Sequence, residues 1–249
     1  FADDIVLVSD QQGDMQRCLD VLYEFCCKWR LSVSMSKTKL MRVGNTSLYD
    51  ESNPLRVGDS VLERVSQYQY LGLWFTEDGT WNLEYQERMK KVNDIVARTR
   101  HFFADRHVPI RARWIAWCAT IWSRLEYGCE VFITNEEQMK AMEDMQLEAA
   151  RMILGCNRHT SLDAVYGDLK FQPLEVRFAK YRCRLFHEMS CGGAYLPLHN
   201  SVWRSFGHTS SWQLPVYSFR RVARALVVKY LTPAPNYLTE FRRRNGWEW

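Results

Sequence analysis

No stretch of this chain approaches the ~18–20 consecutive apolar residues of a membrane-spanning helix. No signal-peptide pattern opens it either, so a chain without a membrane partner, working inside the cell in nucleus or cytoplasm, is expected. The eight cysteines (Cys18, Cys26, Cys27, Cys118, Cys129, Cys156, Cys183 and Cys191) include no C-x-x-C pair. That argues against zinc-ribbon and thioredoxin-type spacings and favours reduced thiols over a disulfide framework. No internal repeat is found, which sets solenoids aside. One spacing has metal chemistry: Cys183, His187 and Cys191 fall on one helical face, with His199 or His208 as a further ligand. Structural zinc usually draws four ligands from two short segments, a pattern not met here, and zinc is not expected.

What is present is ordinary in bulk. The 249 residues are 47% hydrophobic and 25% charged, with ten Trp, and can bury a real core. The net charge of +4 hides an asymmetry. From residue 200 onward eight Arg or Lys (Arg204, Arg220, Arg221, Arg224, Lys229, Arg242, Arg243, Arg244) face two acids, Glu240 and Glu248. A basic end on a nearly neutral body suggests an anionic polymer as partner.

The first third of the chain reads as mixed helix and strand. FADDIVLVS (Phe1–Ser9) places an acid pair before the apolar run Ile5–Val8, a short buried strand by pattern. Residues 11–29 read as a helix, with Cys18, Leu22, Phe25 and Trp29 on one face and Asp10 or Gly13-Asp14 at its start. Leu40–Val43 reads as a strand. Leu55–Leu62 reads as strand structure around a turn at Gly58-Asp59, and Tyr68–Phe75 as a further strand before the Asp78-Gly79 turn.

After Gly79 the period becomes helical. Met89, Val92, Val96 and Phe103 form one stripe; Pro109 opens a second helix through Trp114, Trp117, Ile121 and Leu125 to Gly128. Thr134–Glu137 is a capping-box pattern ahead of a methionine stripe that ends at Gly155, and Pro173 starts a last clear helix. The methionines read as core, not as a partner groove. The fold expected is α+β in three parts: residues 1–79, a helical segment 80–190, and a loop-rich basic region 191–249.

Acid pairs occur in ordinary turns and caps. Here the order of the parts carries more. The acid pair and its apolar run are followed by a helix, then Ser36-Lys37-Thr38, then Tyr70-Leu71-Gly72 and a Asp78-Gly79 turn. With LEYGCEVF (Leu125–Phe132) and RMILG (Arg151–Gly155), this succession resembles the distal palm and thumb of a reverse transcriptase, specifically of LINE-type, non-LTR retrotransposons, over residues 1 to about 190. Two positions depart from the family's usual pattern: Arg30-Leu31 stands for its Gly-Leu, and Ser34 for an Asn three residues before the lysine.

The resemblance implies RNA-templated DNA synthesis from deoxynucleotides on a DNA primer with Mg²⁺. Asp3 would be the principal metal ligand and Asp4 the secondary one, because hard divalent cations prefer closely spaced carboxylate oxygens. Lys37 would lie near the leaving phosphates. Tyr70-Leu71-Gly72 would be the primer grip, with Gly72 allowing close backbone approach. Residues 1–79 would be distal palm and 80–190 a thumb with connecting helices, where Lys90, Lys91, Arg98, Arg111 and Arg113 could grip duplex phosphates without reading sequence. In the basic end, Arg220, Arg221, Arg242, Arg243 and Arg244, interleaved with aromatics, could bind RNA.

By this resemblance the fingers and a further essential aspartate belong upstream of Phe1, leaving an incomplete Mg²⁺ site in residues 1–249. The rival reading is a non-catalytic nucleic-acid-binding protein, or a relic, derived from such an element. We expect no Mg²⁺-dependent primer extension on an RNA template by these 249 residues alone. Extension that is lost on Asp3→Ala would overturn this expectation.

Overall fold

The computed structural model describes residues 4–44 and 50–191, with side chains to residue 185. It mixes helix and sheet and divides into two compact units, Phe1–Thr80 and a second beginning at Trp81. Among the described residues no helix is long and apolar enough to cross a membrane.

Among its described residues the first unit holds one helix and three two-stranded ribbons. Helix α1 (Gln12–Trp29) ends at Arg30, whose left-handed backbone closes the last turn on Cys26 and Cys27. Strand β1 (Lys39–Leu40) runs parallel to β4 (Glu63–Arg64). Strands β2 (Arg56–Val57) and β3 (Ser60–Val61) form an antiparallel hairpin turned at Gly58-Asp59, as the sequence predicts. At Gly58 the left-handed backbone, φ 57°, favours glycine, and a Cβ there would sit 2.8 Å from the exposed Tyr23 ring and oblige it to move. Strands β5 (Gln67–Tyr70) and β6 (Leu73–Thr76) make a second hairpin.

Three expectations fail here. The face of α1 carrying Cys18, Phe25 and Trp29 is exposed, while Leu19 and Cys26 are buried. The reason is polar. The Gln16 amide accepts from the Arg56 N–H at 2.9 Å and donates to the Arg56 carbonyl at 3.0 Å, as a neighbouring strand would. One turn earlier, Gln12 does the same with Asp50 and Asn53. These two side chains turn the Leu19 side of the helix inward, onto Leu55, Val57 and Leu62, with Leu7, Met15, Val33, Met35 and Leu40 around them. Next, Ile5–Val8 is not a strand: it pairs with no strand among the described residues, and Ile5, Val6 and Val8 remain exposed. Finally, Tyr68–Phe75 is not one strand but a hairpin, turned at Leu71-Gly72.

Among the described residues the second unit is helical. Its elements are α2 (Asn82–Ala104), α3 (Ile110–Trp117), a π-helical turn (Cys118–Trp122), α4 (Ser123–Glu126), α5 (Glu136–Leu154), α6 (Leu162–Leu169) and α7 (Leu174–Cys191). Helix α5 is capped reciprocally by Asn135 and Gln138, one residue past the predicted Thr134–Glu137 box, and closed by Gly155 at φ 70°. Met142 is fully buried, so the methionine stripe is core. Val92, Phe103, Trp117, Ile121, Leu125, Ile153, Leu174 and Phe178 complete a single apolar centre. The π-turn aims the Trp122 indole N–H at the buried Gln146 carbonyl, 2.5 Å away.

Where α4 stops, the chain runs through Tyr127-Gly128 to Phe132 without a regular ladder, and arginines take its carbonyls. Arg88 donates to the Arg124 and Leu125 carbonyls, each at 2.8 Å, and to Glu84, with its guanidinium 4.6 Å from the Phe132 ring centre. Arg182 donates to the carbonyls of Cys129 at 2.9 Å and Phe132 at 2.6 Å. Arg177 pairs with Glu126 and lies 3.4 Å over Trp122. Burial of Glu84 and Arg88 at about one-twentieth exposure makes the pair mutually dependent. Arg88→Ala is expected to destabilise the helical unit by about 3–5 kcal/mol in urea unfolding, because the Glu84 charge and two carbonyls lose their partner. The double change with Glu84→Leu should recover part of that loss; a single-variant cost under about 1 kcal/mol would refute the clamp.

Candidate functional site

The residues with candidate chemistry in the first unit come from three places. Asp4 lies in the segment before α1, which has no regular secondary structure, and is exposed; Asp3 falls outside the described residues. Lys37 sits in a turn after Val33, held by the Ser34 carbonyl, which accepts from the N–H of Lys37 at 3.1 Å and of Thr38 at 2.9 Å. The Thr38 hydroxyl donates to the same oxygen. This explains the residue type: a threonine one place after the lysine locks the turn, leaving the Lys37 side chain exposed.

The structure brings this turn to the β5–β6 hairpin. The Tyr68 hydroxyl donates to the Lys37 carbonyl at 3.0 Å, so a β5 side chain fixes the lysine's backbone. The segment bearing Asp4 meets the same neighbourhood through Leu7, which packs into the small core that also takes Met35 and Leu40. Acid, lysine and hairpin are thus all anchored within one unit.

The hairpin tip itself is strained. Tyr70 pairs with Leu73, and the two residues between them both have positive φ: Leu71 at 47° and Gly72 at 81°. Two-residue hairpin loops with both residues in this region match the right-handed twist of the strands, and favour Asn-Gly or Gly-Gly. Gly72 is at ease there. A leucine is not, because its Cβ crowds the carbonyl at a cost of roughly 1–2 kcal/mol. The Leu71 side chain is exposed at that tip, so burial does not account for a bulky apolar residue in a position that suits asparagine.

The Asp78-Gly79 turn beyond β6 is a closed polar loop. Asp78 accepts from Thr76 and from the N–H and hydroxyl of Thr80, each of the latter at 3.0 Å. Those bonds, the Thr76 hydroxyl first, hold its carboxyl below the usual range. It is a structural acid, already committed, and no candidate metal ligand. Among the described residues no group of three His, Cys, Asp or Glu side chains gathers as a metal site. Of the Cys183 spacing only Cys183 has a described side chain; His187, Cys191, His199 and His208 fall outside what can be said.

The candidate nucleic-acid cations divide. Lys90, Lys91, Arg98 and Arg111 are exposed, the first three on α2. Lys91 and Arg98, seven residues apart, share one helical face. Arg113 differs: it is buried, with its Nη1 donating to the Phe103 carbonyl at 2.9 Å, and so is no solvated surface charge. Arg220, Arg221, Arg242, Arg243 and Arg244 lie outside the described residues. Sequence reading missed the Gln12–Gln16 latch and the arginines beneath Tyr127–Phe132. Only the recurrence of Arg at positions 88, 177 and 182 on otherwise apolar helical faces would have signalled the latter.

With this geometry in hand, comparison with known proteins places the first unit. Residues 1–75 match the reverse transcriptase (RNA-dependent DNA polymerase) family, a match that runs from the acid pair into β6. A protein described as "Probable RNA-directed DNA polymerase from transposon BS", from Drosophila melanogaster, is 21% identical over 195 residues, which cover 74% of this chain and 21% of that protein. The family match thus covers the first 75 residues, and the chain spans about a fifth of the length of that relative. No solved structure matches it.

The strain at Leu71 is directly testable. Leu71→Gly should relieve it and slow amide hydrogen exchange across β5 and β6 by a few-fold, about 0.5–1 kcal/mol of local stability. Faster exchange in the variant would mean that the leucine is held by packing worth more than the backbone strain.

Proposed function

We propose that this chain supplies the distal palm and the thumb of a non-LTR retroelement reverse transcriptase, which adds deoxynucleotides to a DNA primer on an RNA template. The observation that carries the reading is the Tyr68–Lys37 bond, which joins the turn bearing Ser36-Lys37-Thr38 to the Tyr70-Leu71-Gly72 hairpin within the stretch matched to the family. Three separate motifs of one resemblance thus fall in one unit.

Each residue then has a role suited to its surroundings. Asp3 and Asp4 are adjacent carboxylates, and Asp4 is exposed. An all-oxygen donor set of this kind fits Mg²⁺, and the family generally uses divalent metal ions. Bound there, the ions would lower the cost of charge on the primer oxygen and the departing pyrophosphate. Lys37, exposed on a turn fixed from below, can offer its ammonium to a phosphate without dragging the backbone with it. The Leu71 tip presents an apolar side chain on a twisted, hydrogen-bonded hairpin, a stiff support for a primer's end. Lys90, Lys91 and Arg98 give α2 an exposed cationic side for the duplex backbone.

Binding to an RNA–DNA hybrid tests this without asking for turnover. Affinity should fall steeply with salt, as counterion release requires. Mg²⁺ should raise it several-fold in the native chain and not in Asp3→Ala or Asp4→Ala. Binding indifferent to Mg²⁺ and to both substitutions would shift the reading to a nucleic-acid-binding protein whose acids are incidental. No binding even at low salt would overturn both.

A further inference from the structure

Between α2 and α3 the chain turns through Asp105–Val108 and enters α3 at Pro109. A hollow of about 490 Å³ opens at that helix start, lined by Arg106, Pro109, Ile110 and Arg113 and, from the end of α5, by Leu154 and Gly155. Three features of it point to an anion.

The first is Arg113, only 4% exposed. Its Nη1 is satisfied by the Phe103 carbonyl, but its Nε–H, also buried, has no acceptor. Buried polar groups without a partner are uncommon, and on a guanidinium the cost is about 1–3 kcal/mol or more. Unlike Arg88 and Arg177, Arg113 has no carboxylate paired with it among the described residues.

The second is the helix start itself. Pro109 contributes no side-chain cap, and there is no acid in the first turn of α3. The first helical bonds are those of Ala112 and Arg113 to the Pro109 carbonyl, at 2.9 and 3.1 Å. The amides of Ile110 and Arg111 precede them and have no acceptor inside the helix.

The third is Arg106, exposed at the rim with a guanidinium able to reach over the opening. One effect opposes these. The carbonyl end of α5 faces the same hollow, but its carbonyls at Met152 and Arg151 are already bonded to the Gly155 and Cys156 amides, at 3.2 and 3.1 Å. A half-charge with its acceptors satisfied does not outweigh two guanidiniums.

We propose that this hollow is a phosphate site, occupied by a backbone phosphate of the bound nucleic acid. The Arg113 guanidinium, which lines the hollow, and the first α3 amides donate from within, and Arg106 closes it from solvent. The phosphodiester as source rests on the function proposed above; the anion site does not.

Nitrogen-15 spectra of the arginine Nε–H groups of the full chain separate the two, with Arg113→Lys used to assign the Arg113 signal. Inorganic phosphate should shift that signal saturably, and Arg106→Gln, a change at an exposed position that leaves the fold intact, should weaken the response about tenfold, the loss of a charge-assisted hydrogen bond. An RNA–DNA hybrid should shift the same signal, and Arg106→Gln should lower the slope of its affinity against salt by about one phosphate contact. If phosphate shifts the signal while the hybrid binds without doing so, the site is one for free phosphate and the backbone assignment is wrong. If neither shifts it, the hollow is no anion site, even where the hybrid binds elsewhere. If the hybrid does not bind at all, the proposed function falls, the backbone assignment falls with it, and the phosphate titration alone decides the hollow.

Discussion

The helical unit depends on how it satisfies one stretch of irregular backbone. Between α4 and α5 the chain must reverse direction through Tyr127–Phe132, close to the centre of the core, where Cys129 and Phe132 are fully buried. Buried carbonyls there cannot use water, and no strand or helix supplies amides for them. The solution is to bring donors on side chains from α2 and α7. Arg182 spans the Cys129 and Phe132 carbonyls of this stretch, Arg88 spans those of Arg124 and Leu125 just before it, and their guanidiniums lie by the rings of Phe178 and Phe132 respectively. This is a use to which lysine is poorly suited, because a point ammonium cannot present a flat fork to two acceptors and a face to a ring. The rest follows: helices so distant in sequence as α2 and α7 are fixed in register by what they both hold.

The same burial dictates the chemistry of nearby groups. Desolvation pushes the Cys129 thiol up to about 12 and the Cys118 thiol up to about 11. Both therefore behave as small apolar residues near neutral pH. The Tyr166 hydroxyl is raised as well, by desolvation and then by its bond to Glu143. Glu143 in turn accepts the Leu174 N–H at 2.7 Å at the start of α7, so one carboxylate ties α5, α6 and α7. None of these perturbed groups marks a catalytic centre; they are signs of a dry helical core. The first unit is built differently. Its apolar centre is small, and paired glutamine amides and short ribbons do much of the joining. That construction keeps its turns at Lys37 and Leu71 exposed.

What the sequence revealed tracks how local the determining physics is. The start of α5, the glycine that ends it, the turn at Gly58-Asp59 and the helix behind Pro173 were all legible, because caps and turns are decided by a few adjacent residues. The inward face of α1 was not. Two apolar stripes compete on that helix, and the choice is made by Gln12 and Gln16, whose partners lie about forty residues away. The hairpin at Leu71-Gly72 was hidden for a related reason: Tyr68–Phe75 has strand composition throughout, and a leucine at a left-handed position contradicts turn statistics. Of the candidate site, the motifs were visible by resemblance, whereas the bond that brings Lys37 to Tyr68 was visible nowhere but in the fold.

The arginines of the second unit make the general point that charge counting on a sequence cannot. Arg88, Arg98, Arg113 and Arg182 are indistinguishable in a tally of cations for nucleic acid. Burial removes Arg88 and Arg182 from that tally, since they donate to this chain's own carbonyls and, for Arg88, to a carboxylate. Exposure keeps Arg98 in it, but weakly, because a solvated cation on a helix binds phosphate and water with nearly equal ease. Arg113 belongs to neither class. It has lost its water like the first pair and kept an unfilled donor like the last. A guanidinium already desolvated makes a stronger bond to an arriving anion than an exposed one, since the cost of stripping it was met when the protein folded. Donor satisfaction after burial, not position in a basic stretch, is therefore what tells Arg88 and Arg182 apart from Arg113.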